Sequence, residues 1–587
     1  MGALSDLLRT GSSLADTALP LYTITGYTAT LPDDPDTGTV QVAVANYADV
    51  AAFEAAVVPV YSGQRCQVAG WPHASTNTSL EATALSTGGF KWAPLWQAKT
   101  KARPLDPREF GVVPDDTTDV TVPLRHLVAA APAGGTIDLP SYGDTDRYRI
   151  TGKIDITKAL TFSGGGVVFP DPPDDATTAI FEVAADDVTF DGIGFDGTGK
   201  TGAIAQSMRL ISAIAANNRL TVNRVSFTNM VGGYSDDATD LKGVHGVYIN
   251  GGKGSLVERC RWDSVMGAAV YFQSTEALKV RYNDVGPTGW YGVHAATDNS
   301  GYEIVGNEFW SDDDTLDRYW GGSLDLMSQH SLSLPPDKWI MVAENNFSGP
   351  HSYGAVVRLL SLHQCRFNDN FFQGCYATAP SSDPLSIVRV TPRGVSGDDH
   401  NGPWSDIIAQ GNQMIAGEAA QRPFYIDGAV AGFTNIDESG PILIDHLTAK
   451  SLDSTHYFAG VYCLAGVGGV RGFSVTNSRI HGKPDASAVN GAGGGMVGAA
   501  GTSTASVNGV RVKDNDITFL TPDTTGTETH HTGISMGAYV DYWQATGNHI
   551  RRMRYGVRVD DANLGTNTIG TPATDNLFEN CTTAVLT

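Results

Sequence analysis

The chain has 587 residues, 67 of them glycine, with a charged fraction of only 17% and a formal net charge of −24 at pH 7. That charge repels phosphate backbones and anionic membranes, which argues against a nucleic-acid partner. No apolar run reaches the roughly 18 residues that a membrane-spanning helix needs, and the first residues lack the basic and apolar segments of a signal peptide. Short apolar runs separated by Gly, Asn and Asp are instead typical of an all-β chain with many turns.

The six cysteines show no paired spacing; they are Cys66, Cys260, Cys365, Cys375, Cys463 and Cys581. This predicts buried thiols in a chain that folds under reducing conditions. A zinc site would need tight pairs such as C-x-x-C, and the acidic run at residues 312–314 lacks the ligand spacing of a calcium loop. We therefore expect no metal and no cofactor.

Residues 1–104 are interpreted as a separate N-terminal module. Within it, residues 40–60 predict a strand followed by a short helix, and residues 61–100 contain Gly, Pro and Trp turns. The basic, proline-bearing stretch from Lys99 to Pro107 indicates a linker.

Beyond the linker the sequence changes to EFGVVPDDTTDVTVPLRHLVAAAPAGGTIDLP. It predicts an acidic turn, a short amphipathic helix over about residues 119–131, a Gly-Gly turn and an apolar strand. A helix in this place seals the open end of a solenoid, whose backbone edges and apolar side chains would otherwise be exposed.

The rest of the chain repeats two interleaved kinds of strand. One kind ends in Asn-x-apolar, as in YNDV (282–285), GNEF (306–309) and DNFF (369–372), and the other follows it, as in GVYIN, AAVYFQ and GVYCLAG. Such a repeat predicts a right-handed parallel β-helix of some thirteen coils from about residue 105 to the end, with asparagine ladders at its turns and with residues 105–500 as its glycan-binding or depolymerase domain. Residues 501–587 are expected to be its terminal coils or a small C-terminal trimerisation module.

The head of this region resembles pectate-lyase-like β-helix proteins, and phage tailspikes and capsule depolymerases most of all. The family opens with Phe-Gly, a run of Asp and Thr, a short helix, Gly-Gly and apolar-x-Leu-Pro. Two departures are Pro123 inside the helix and SYGDTDRY in place of the usual Gly-x-Tyr. The matching residues are Phe110, Gly111, Asp115, Asp116, Thr117, Asp119, Gly134, Gly135, Leu139 and Pro140.

The resemblance covers roughly residues 105–587 at the level of fold and carries over no catalytic residue. It implies a homotrimer in the virion, assembled in the host cytoplasm, whose N-terminal module attaches to phage tail or baseplate proteins. It also implies that the β-helix binds or cleaves a bacterial surface polysaccharide.

The outward face must therefore supply the function, because the fold alone does not decide it. Strand residues alternate between the two faces of a sheet, and in GVYIN this alternation points Tyr248 and Asn250 outward. Applied to successive coils it predicts an outward column, which we call the column: Tyr248, Tyr271, His294, Asp325, Arg358, Arg389, Tyr425 and Tyr462. A neighbouring column is Asn250, Gln273, Asp298, Met327, Thr391 and Asp427.

Aromatic rings stack on sugar faces, and charged or amide groups bond hydroxyls, so the column suits a glycan. We assign substrate binding to Tyr248, Tyr271, Arg358, Arg389 and Tyr425. Trp310 and Trp320 join them, because the insertion WSDDDTLDRYWGGSLDLM would overhang Asp325. The alternatives are an ordinary polar face for the column, and a solvated loop or a subunit contact for the insertion.

Hydrolysis of a glycosidic bond needs two carboxyl groups, about 6.5–9.5 Å apart in inverting enzymes. Asp325 as base with Asp298 as acid is the preferred pair, with Asp427 and Asp317 in reserve. Hydrolysis ranks first because acidic groups outnumber basic ones along the predicted groove.

Two other functions remain open. A polysaccharide lyase would hold a uronate with Arg358 and Arg389 and use His294 or Tyr271 as base. A non-enzymatic adhesin would use the same face for binding alone.

Overall fold

The computed structural model describes most of the chain from Pro107 onward and short strands before it. The chain divides into two compact units, one made of Met1–Val112 and His126–Ala131, the other of the remaining residues. The described residues are 29–30, 41–42, 46–47, 65–68, 71–76, 84–85, 91–94, 107–141, 143, 146–172, 179–200, 208–214, 219–231, 243–296, 299–311, 322–327, 338–351, 355–377, 386–394, 400–416, 422–428, 435–436, 438–451, 460–466, 468–482, 495–520, 532–559 and 571–586.

The described part of the first unit is built from strands. Ala29–Thr30 pairs antiparallel with Gln41–Val42, and a mixed sheet has the spatial order Asn46–Tyr47, Arg65–Val68, Trp71–Thr76, Lys91–Pro94 and Ala84–Leu85. The helix predicted within residues 40–60 lies outside the described residues, as does the predicted linker up to residue 106.

The second unit is a right-handed parallel β-helix, as the repeat predicts. Among the described residues it contains three parallel sheets of fifteen strands each, two more coils than the sequence indicates. We call the first the site sheet. Its strands are Ile154–Ile156, Ala179–Val183, Met208–Ala213, Val244–Asn250, Val270–Gln273, Tyr291–Ala295, Gly322–Met327, Ala355–Leu360, Ser386–Thr391, Arg422–Asp427, Val461–Leu464, Gly495–Ala500, Thr532–Met536, Tyr555–Val559 and Thr583–Leu586.

The other two sheets complete each coil. The second sheet consists of Gly135–Asp138, Leu160–Ser163, Thr189–Asp191, Thr221–Asn223, Leu256–Glu258, Lys279–Arg281, Glu303–Val305, Ile340–Ala343, Cys365–Asn368, Ile407–Gln410, Ile442–Asp445, Phe473–Thr476, Arg511–Lys513, Gln544–Thr546 and Thr571–Thr574. The third sheet consists of Arg147–Ile150, Val167–Pro170, Gly194–Asp196, Ser226–Met230, Arg261–Val265, Asp284–Val285, Glu308–Trp310, Asn346–His351, Phe371–Ala377, Gln413–Ala416, Thr448–Lys450, Arg479–Gly482, Asp516–Phe519, His549–Arg551 and Leu577–Glu579.

Short strands flank the main sheets. One small sheet joins Arg393–Gly394, His400–Gly402 and Asn435–Ile436, and another joins Val470–Arg471, Val507–Asn508 and Val540–Asp541. Apart from Val540–Asp541, the strands from Arg511 onward belong to the same three main sheets as those before it, so the coils continue to Leu586.

A helix begins the β-helix where the sequence predicts one. It spans Thr121–Ala130 and follows a 3-10 turn at Pro107–Phe110. The Asp119 carboxylate accepts a hydrogen bond from the Thr121 amide at 2.9 Å, which satisfies a free donor at the helix start. Pro123 is tolerated because it lies in the first helical turn, where its missing N–H is not needed.

Stacked side chains fill the interior of the coils. Phe195, Phe227 and Trp262 stack in parallel with ring centroids 5.1 Å apart. The predicted asparagine ladder is confirmed: each buried amide donates to the Oδ1 of the next, at 2.8 to 3.0 Å. One ladder contains Asn283, Asn307, Asn345, Asn370 and Asn412, and a second contains Asn515, Asn548 and Asn576. These ladders fix the register of successive coils.

The described cysteines have free thiols, and four of them are buried, as predicted. Burial raises the pKa of the Cys260 and Cys365 thiols to about 12, so both are inert at neutral pH. Cys66 is not among the residues whose side chains the structure describes. Within the described segments, no helix is long and apolar enough to cross a membrane.

Candidate functional site

The column lies on eight consecutive strands of the site sheet, from Val244–Asn250 to Val461–Leu464. Each of its residues is the register partner of the next, from Tyr248 opposite Tyr271 to Tyr425 opposite Tyr462. In a parallel sheet such partners are neighbours on one face, so all eight side chains follow one line. The structure therefore aligns the residues that the sequence places in the column.

A buried charged group occupies the centre of the column. His294 Nδ1 lies 3.0 Å from Asp325 Oδ2, and both side chains are only 2% exposed. Arg358 Nε lies 3.5 Å from the other oxygen, Oδ1, and Arg358 Nη1 donates a 2.6 Å hydrogen bond to the Tyr291 hydroxyl. Asp325 is thus held between an imidazole and a guanidinium.

Aromatic rings line the column on the N-terminal side of this centre. Tyr248 and Tyr271 stack with centroids 5.1 Å apart, and Trp290 lies 4.4 Å from His294 and 5.6 Å from Tyr271. The Arg209 guanidinium sits 3.5 Å above the Tyr248 ring centroid. These contacts give a continuous π surface that reaches the His294 imidazole.

His245 packs against the rings of Tyr271 and Trp290 and is uncharged at neutral pH. Its Nδ1 accepts a 2.9 Å hydrogen bond from the Ala268 amide, so the ring proton resides on Nε2. Burial, reinforced by the positive charge of Arg209, lowers the pKa of His245 to about 3. His245 is therefore a structural support and cannot act as an acid at neutral pH.

Two arginines and two tyrosines form the C-terminal part of the site. Arg389 Nη2 lies 3.6 Å from Asp427 Oδ2. The Arg422 guanidinium lies 5.7 Å from the Tyr425 ring centroid and 4.8 Å from that of Tyr462, and the two rings are parallel within 6°. Burial raises the pKa of Tyr425 and lowers that of Arg422.

Of the assigned residues Asp298, Trp310 and Trp320, the structure describes only Trp310. Trp310 belongs to the third sheet, where its indole N–H donates to Asp284 Oδ1 at 2.6 Å, so its predicted place over the column is wrong. Asp298 and Trp320 lie outside the described residues, as do Asp317 and residues 312–314. The preferred pair of Asp325 with Asp298 therefore stays a prediction.

The neighbouring column is only partly visible. Asn250 is in register with Gln273, and Met327 is in register with Leu360, which in turn pairs with Thr391. Asp427 lies one strand beyond Thr391, three strands from Asp325. At about 4.8 Å per strand this is roughly 14 Å, too far for the two carboxylates to act on one bond.

Sequence reasoning missed a second line of residues, three positions before the column in several strands. Arg209 is in register with His245, and Ser386 is in register with Arg422. Tyr291 occupies the same position in its own strand, next to Trp290. Polar or aromatic residues recur at this position, which is a signal in the sequence. Strict alternation of inward and outward side chains would nevertheless place them in the interior.

The balance of charge on the face differs from the expected one. Between Arg209 and Tyr462 the described part of the face carries four arginines, Arg209, Arg358, Arg389 and Arg422, but only two carboxylates, Asp325 and Asp427. The expectation that acidic groups outnumber basic ones therefore fails for these residues. No cluster of three potential metal ligands occurs among the side chains that the structure describes.

Solved structures with a similar fold include the tailspike protein of E. coli bacteriophage HK620 in complex with a pentasaccharide. It has a TM-score of 0.46 and 12% identity, over 85% of this chain and 82% of the tailspike. The catalytic unit of the GH87 α-1,3-glucanase from Streptomyces thermodiastaticus has a TM-score of 0.36 and 14% identity, over 83% of this chain and 70% of that unit.

The A-module of the mannuronan C-5 epimerase AlgE4 from Azotobacter vinelandii gives a TM-score of 0.35 and 13% identity, over 82% of this chain and 97% of the module. At such identities the likeness concerns the fold alone. No protein-family model matches the sequence, and no curated protein does.

Proposed function

We propose that the column binds a linear polysaccharide and that the chain is cleaved beside Asp325. The observation that carries this proposal is the register of the eight column residues, with aromatic rings at both ends and the group of His294, Asp325 and Arg358 at the centre. Eight strands spaced by about 4.8 Å span roughly 34 Å, the length of several sugar residues.

The chemistry along the column matches the parts of a sugar chain. Tyr271 is partly exposed and can stack on the apolar face of a pyranose ring, while Tyr248, Tyr425 and Tyr462 are at most 6% exposed and support the face from below. Arg358 and Arg389, which are partly exposed, offer N–H donors to hydroxyl or carboxylate oxygens. A repetitive face of this kind fits a repetitive ligand better than a compact one.

Hydrolysis is the first candidate reaction. Asp325 suits the role of base that activates water, and a second carboxyl group must protonate the departing oxygen. Asp427 is too distant for that role, so hydrolysis requires Asp298, the acid expected from the sequence. Replacement of Asp298 by Asn is then expected to abolish product formation.

Elimination from a uronic-acid polymer is the second candidate, favoured by one observation: Asp325 lies against His294 on one side and Arg358 on the other. The guanidinium would neutralise the substrate carboxylate, and the imidazole, oriented by Asp325, would remove the proton from the adjacent carbon. The released electron pair forms a carbon–carbon double bond as the glycosidic C–O bond breaks, and the departing oxygen takes a proton from solvent.

The biological setting belongs to the same proposal. Residues 1–104 attach the protein to a phage tail or baseplate, the chain assembles as a homotrimer in the host cytoplasm, and the β-helix meets the polysaccharide of the bacterial surface. Light scattering of the full-length protein checks this: three times the 62.0 kDa chain mass is expected, and a monomer contradicts the trimer.

The function is tested by incubating the full-length protein with purified capsular and O-antigen polysaccharides and following chain length by size-exclusion chromatography. New reducing ends without ultraviolet absorbance indicate hydrolysis, and absorbance of an unsaturated product indicates elimination. Binding without any product would reject both reactions and leave an adhesin. No binding to any polysaccharide in the panel would reject the proposal.

A further inference from the structure

Arg422 is the most buried arginine on the described face of the site sheet. Its side chain is buried, at 7% exposure, and its Nη1 atom has no hydrogen-bond partner in the structure. Its described contacts are with the rings of Tyr425 and Tyr462. The nearest carboxylate on the same strand, Asp427, is engaged by Arg389 at 3.6 Å. The guanidinium is thus held in place while its Nη1 donor has no acceptor.

Such a donor is costly in a protein interior. A buried polar group without a hydrogen bond loses its interaction with water and gains none in return, and the cost is larger for a charged group. Cation–π contact with two tyrosines offsets part of this cost but cannot satisfy an N–H donor. Native proteins keep such a group rarely, and a ligand that completes its hydrogen bonds is one reason to keep it.

We infer that Arg422, together with Arg389, forms a subsite for the carboxylate of an acidic sugar. A guanidinium presents its N–H groups in a planar fork that matches the two oxygens of a carboxylate. The parallel rings of Tyr425 and Tyr462, each 4% exposed, pack beside the fork and hold it in place. This inference rests on the proposed function, because it names the kind of polysaccharide that the column binds.

The local charge favours a carboxylate over a dianion. Arg389 and Arg422 contribute two positive charges, and Asp427 contributes one negative charge, which leaves an excess of one. One carboxylate neutralises that excess, whereas a phosphate monoester would leave a net negative charge near Asp427. The exposed fraction of the Arg389 side chain, 17%, keeps the cluster in contact with solvent.

The test is isothermal titration of the full-length protein with D-glucuronate, D-galacturonate and N-acetylneuraminate, each compared with its neutral methyl ester. We expect at least one acid to bind the wild type ten times or more tightly than its ester. Arg422→Gln is expected to reduce this preference to less than twofold. Arg366→Gln is the control, since Arg366 is an exposed arginine on the second sheet and takes no part in the column; it should keep the preference.

Three results would overturn the inference: no acid preferred over its ester by the wild type, an unchanged preference in Arg422→Gln, or an equal loss in Arg366→Gln. If Arg422→Gln does not fold, as judged by circular dichroism, Arg422→Lys replaces it. Lysine keeps the charge but loses the fork, so a loss of preference of at least threefold is expected, and an unchanged preference contradicts the subsite.

Failure of this inference differs from failure of the proposed function. If the protein releases oligosaccharides but its preference for acids does not depend on Arg422, the subsite is rejected and the depolymerase function is kept. Acid preference that depends on Arg422, without release of product from any polysaccharide, rejects cleavage and keeps the subsite.

Discussion

The imidazole of His294 and the carboxylate of Asp325 meet at 3.0 Å across two adjacent strands, and both are almost completely buried. The pair is possible because each residue occupies the same register position in its coil. Arg358, one strand further on, approaches the other carboxylate oxygen. A carboxylate fixed in this way is oriented, which suits it to act as a base or to position one.

Replacement of Asp325 by Asn is expected to lower the rate of polysaccharide cleavage by about 10²- to 10⁴-fold, because the base or its orienting partner is lost. Binding of the polysaccharide should change little, since the tyrosines of the column remain. Chromatography of digested polysaccharide gives the rate, and calorimetry gives the affinity. Asp263→Asn, on the third sheet, is the control and should be fully active. Unchanged cleavage by the Asp325 variant would remove this residue from the reaction.

Tyr291 is expected to position Arg358 through their 2.6 Å hydrogen bond. Tyr291→Phe should lower kcat/KM by about 3- to 10-fold, as the loss of one hydrogen bond to a charged group implies. Arg358→Gln should have a larger effect. Because the hydroxyl acts only through the guanidinium, the double variant should be no worse than Arg358→Gln alone. Additive losses would show that Tyr291 acts independently of Arg358.

His245 is expected to make stability depend on pH. Its pKa, about 3 in the folded protein, lies below the ordinary value of 6.5, so the unfolded chain binds a proton between these pH values and the folded chain does not. The free energy of unfolding therefore falls as the pH drops from 6.5 towards 3, by up to about 1.4 kcal/mol per pH unit. Above pH 6.5 this residue has no effect.

His245→Asn keeps an acceptor for the Ala268 amide but does not titrate. Its thermal midpoint should fall less than that of the wild type between pH 7 and pH 5, while the carboxylates contribute alike in both proteins. Scanning fluorimetry at several pH values measures the difference. Parallel curves for the two proteins would show that His245 does not stay neutral when buried.

The asparagine ladder is expected to be a main source of stability. Asn345 donates to Asn370 and accepts from Asn307 inside the coils, so Asn345→Ala leaves buried donors and acceptors on both sides unsatisfied. The expected loss is about 2–4 kcal/mol. Met341→Ala, at a site 44% exposed on the same coil, should cost less than about 1 kcal/mol. Equal thermal midpoints for the two variants would deny the ladder this role.

Local sequence rules were enough to predict the β-helix, the helix at its start and the alignment of the column. Alternation has a period of two residues and a parallel sheet stacks equivalent positions, so one correctly oriented strand orients its neighbours. Pairing of Tyr248 with Tyr271, and of Asp325 with Arg358, followed from that rule alone.

The residues that escaped prediction lie where alternation breaks. Two positions before the column, Gly246 faces the interior: a Cβ there would meet the Trp262 indole nitrogen at 2.3 Å. Gly292 likewise faces Phe309. Because two successive positions turn inward, the residue before them, His245 or Tyr291, turns outward. No single-sequence pattern reveals this shift, since it depends on close contact between sheets.

The same shift explains why the sequence pattern does not predict Arg422 on the face, or the excess of positive charge there. Arg422 precedes its column residue, Tyr425, by three positions, and strict alternation buries it in the core. With the arginines of this second line included, the described face is rich in positive charge beside Asp325 and Asp427. This positive charge favours an acidic polysaccharide as the ligand of the face.

The measurement that tests the central claim most directly is a structure of Asp325→Asn bound to an oligosaccharide that the wild-type protein releases. Sugar rings are expected along the column from Tyr248 to Tyr462, with the reacting linkage beside position 325. An oligosaccharide bound to the second or third sheet, with the column empty, would contradict it.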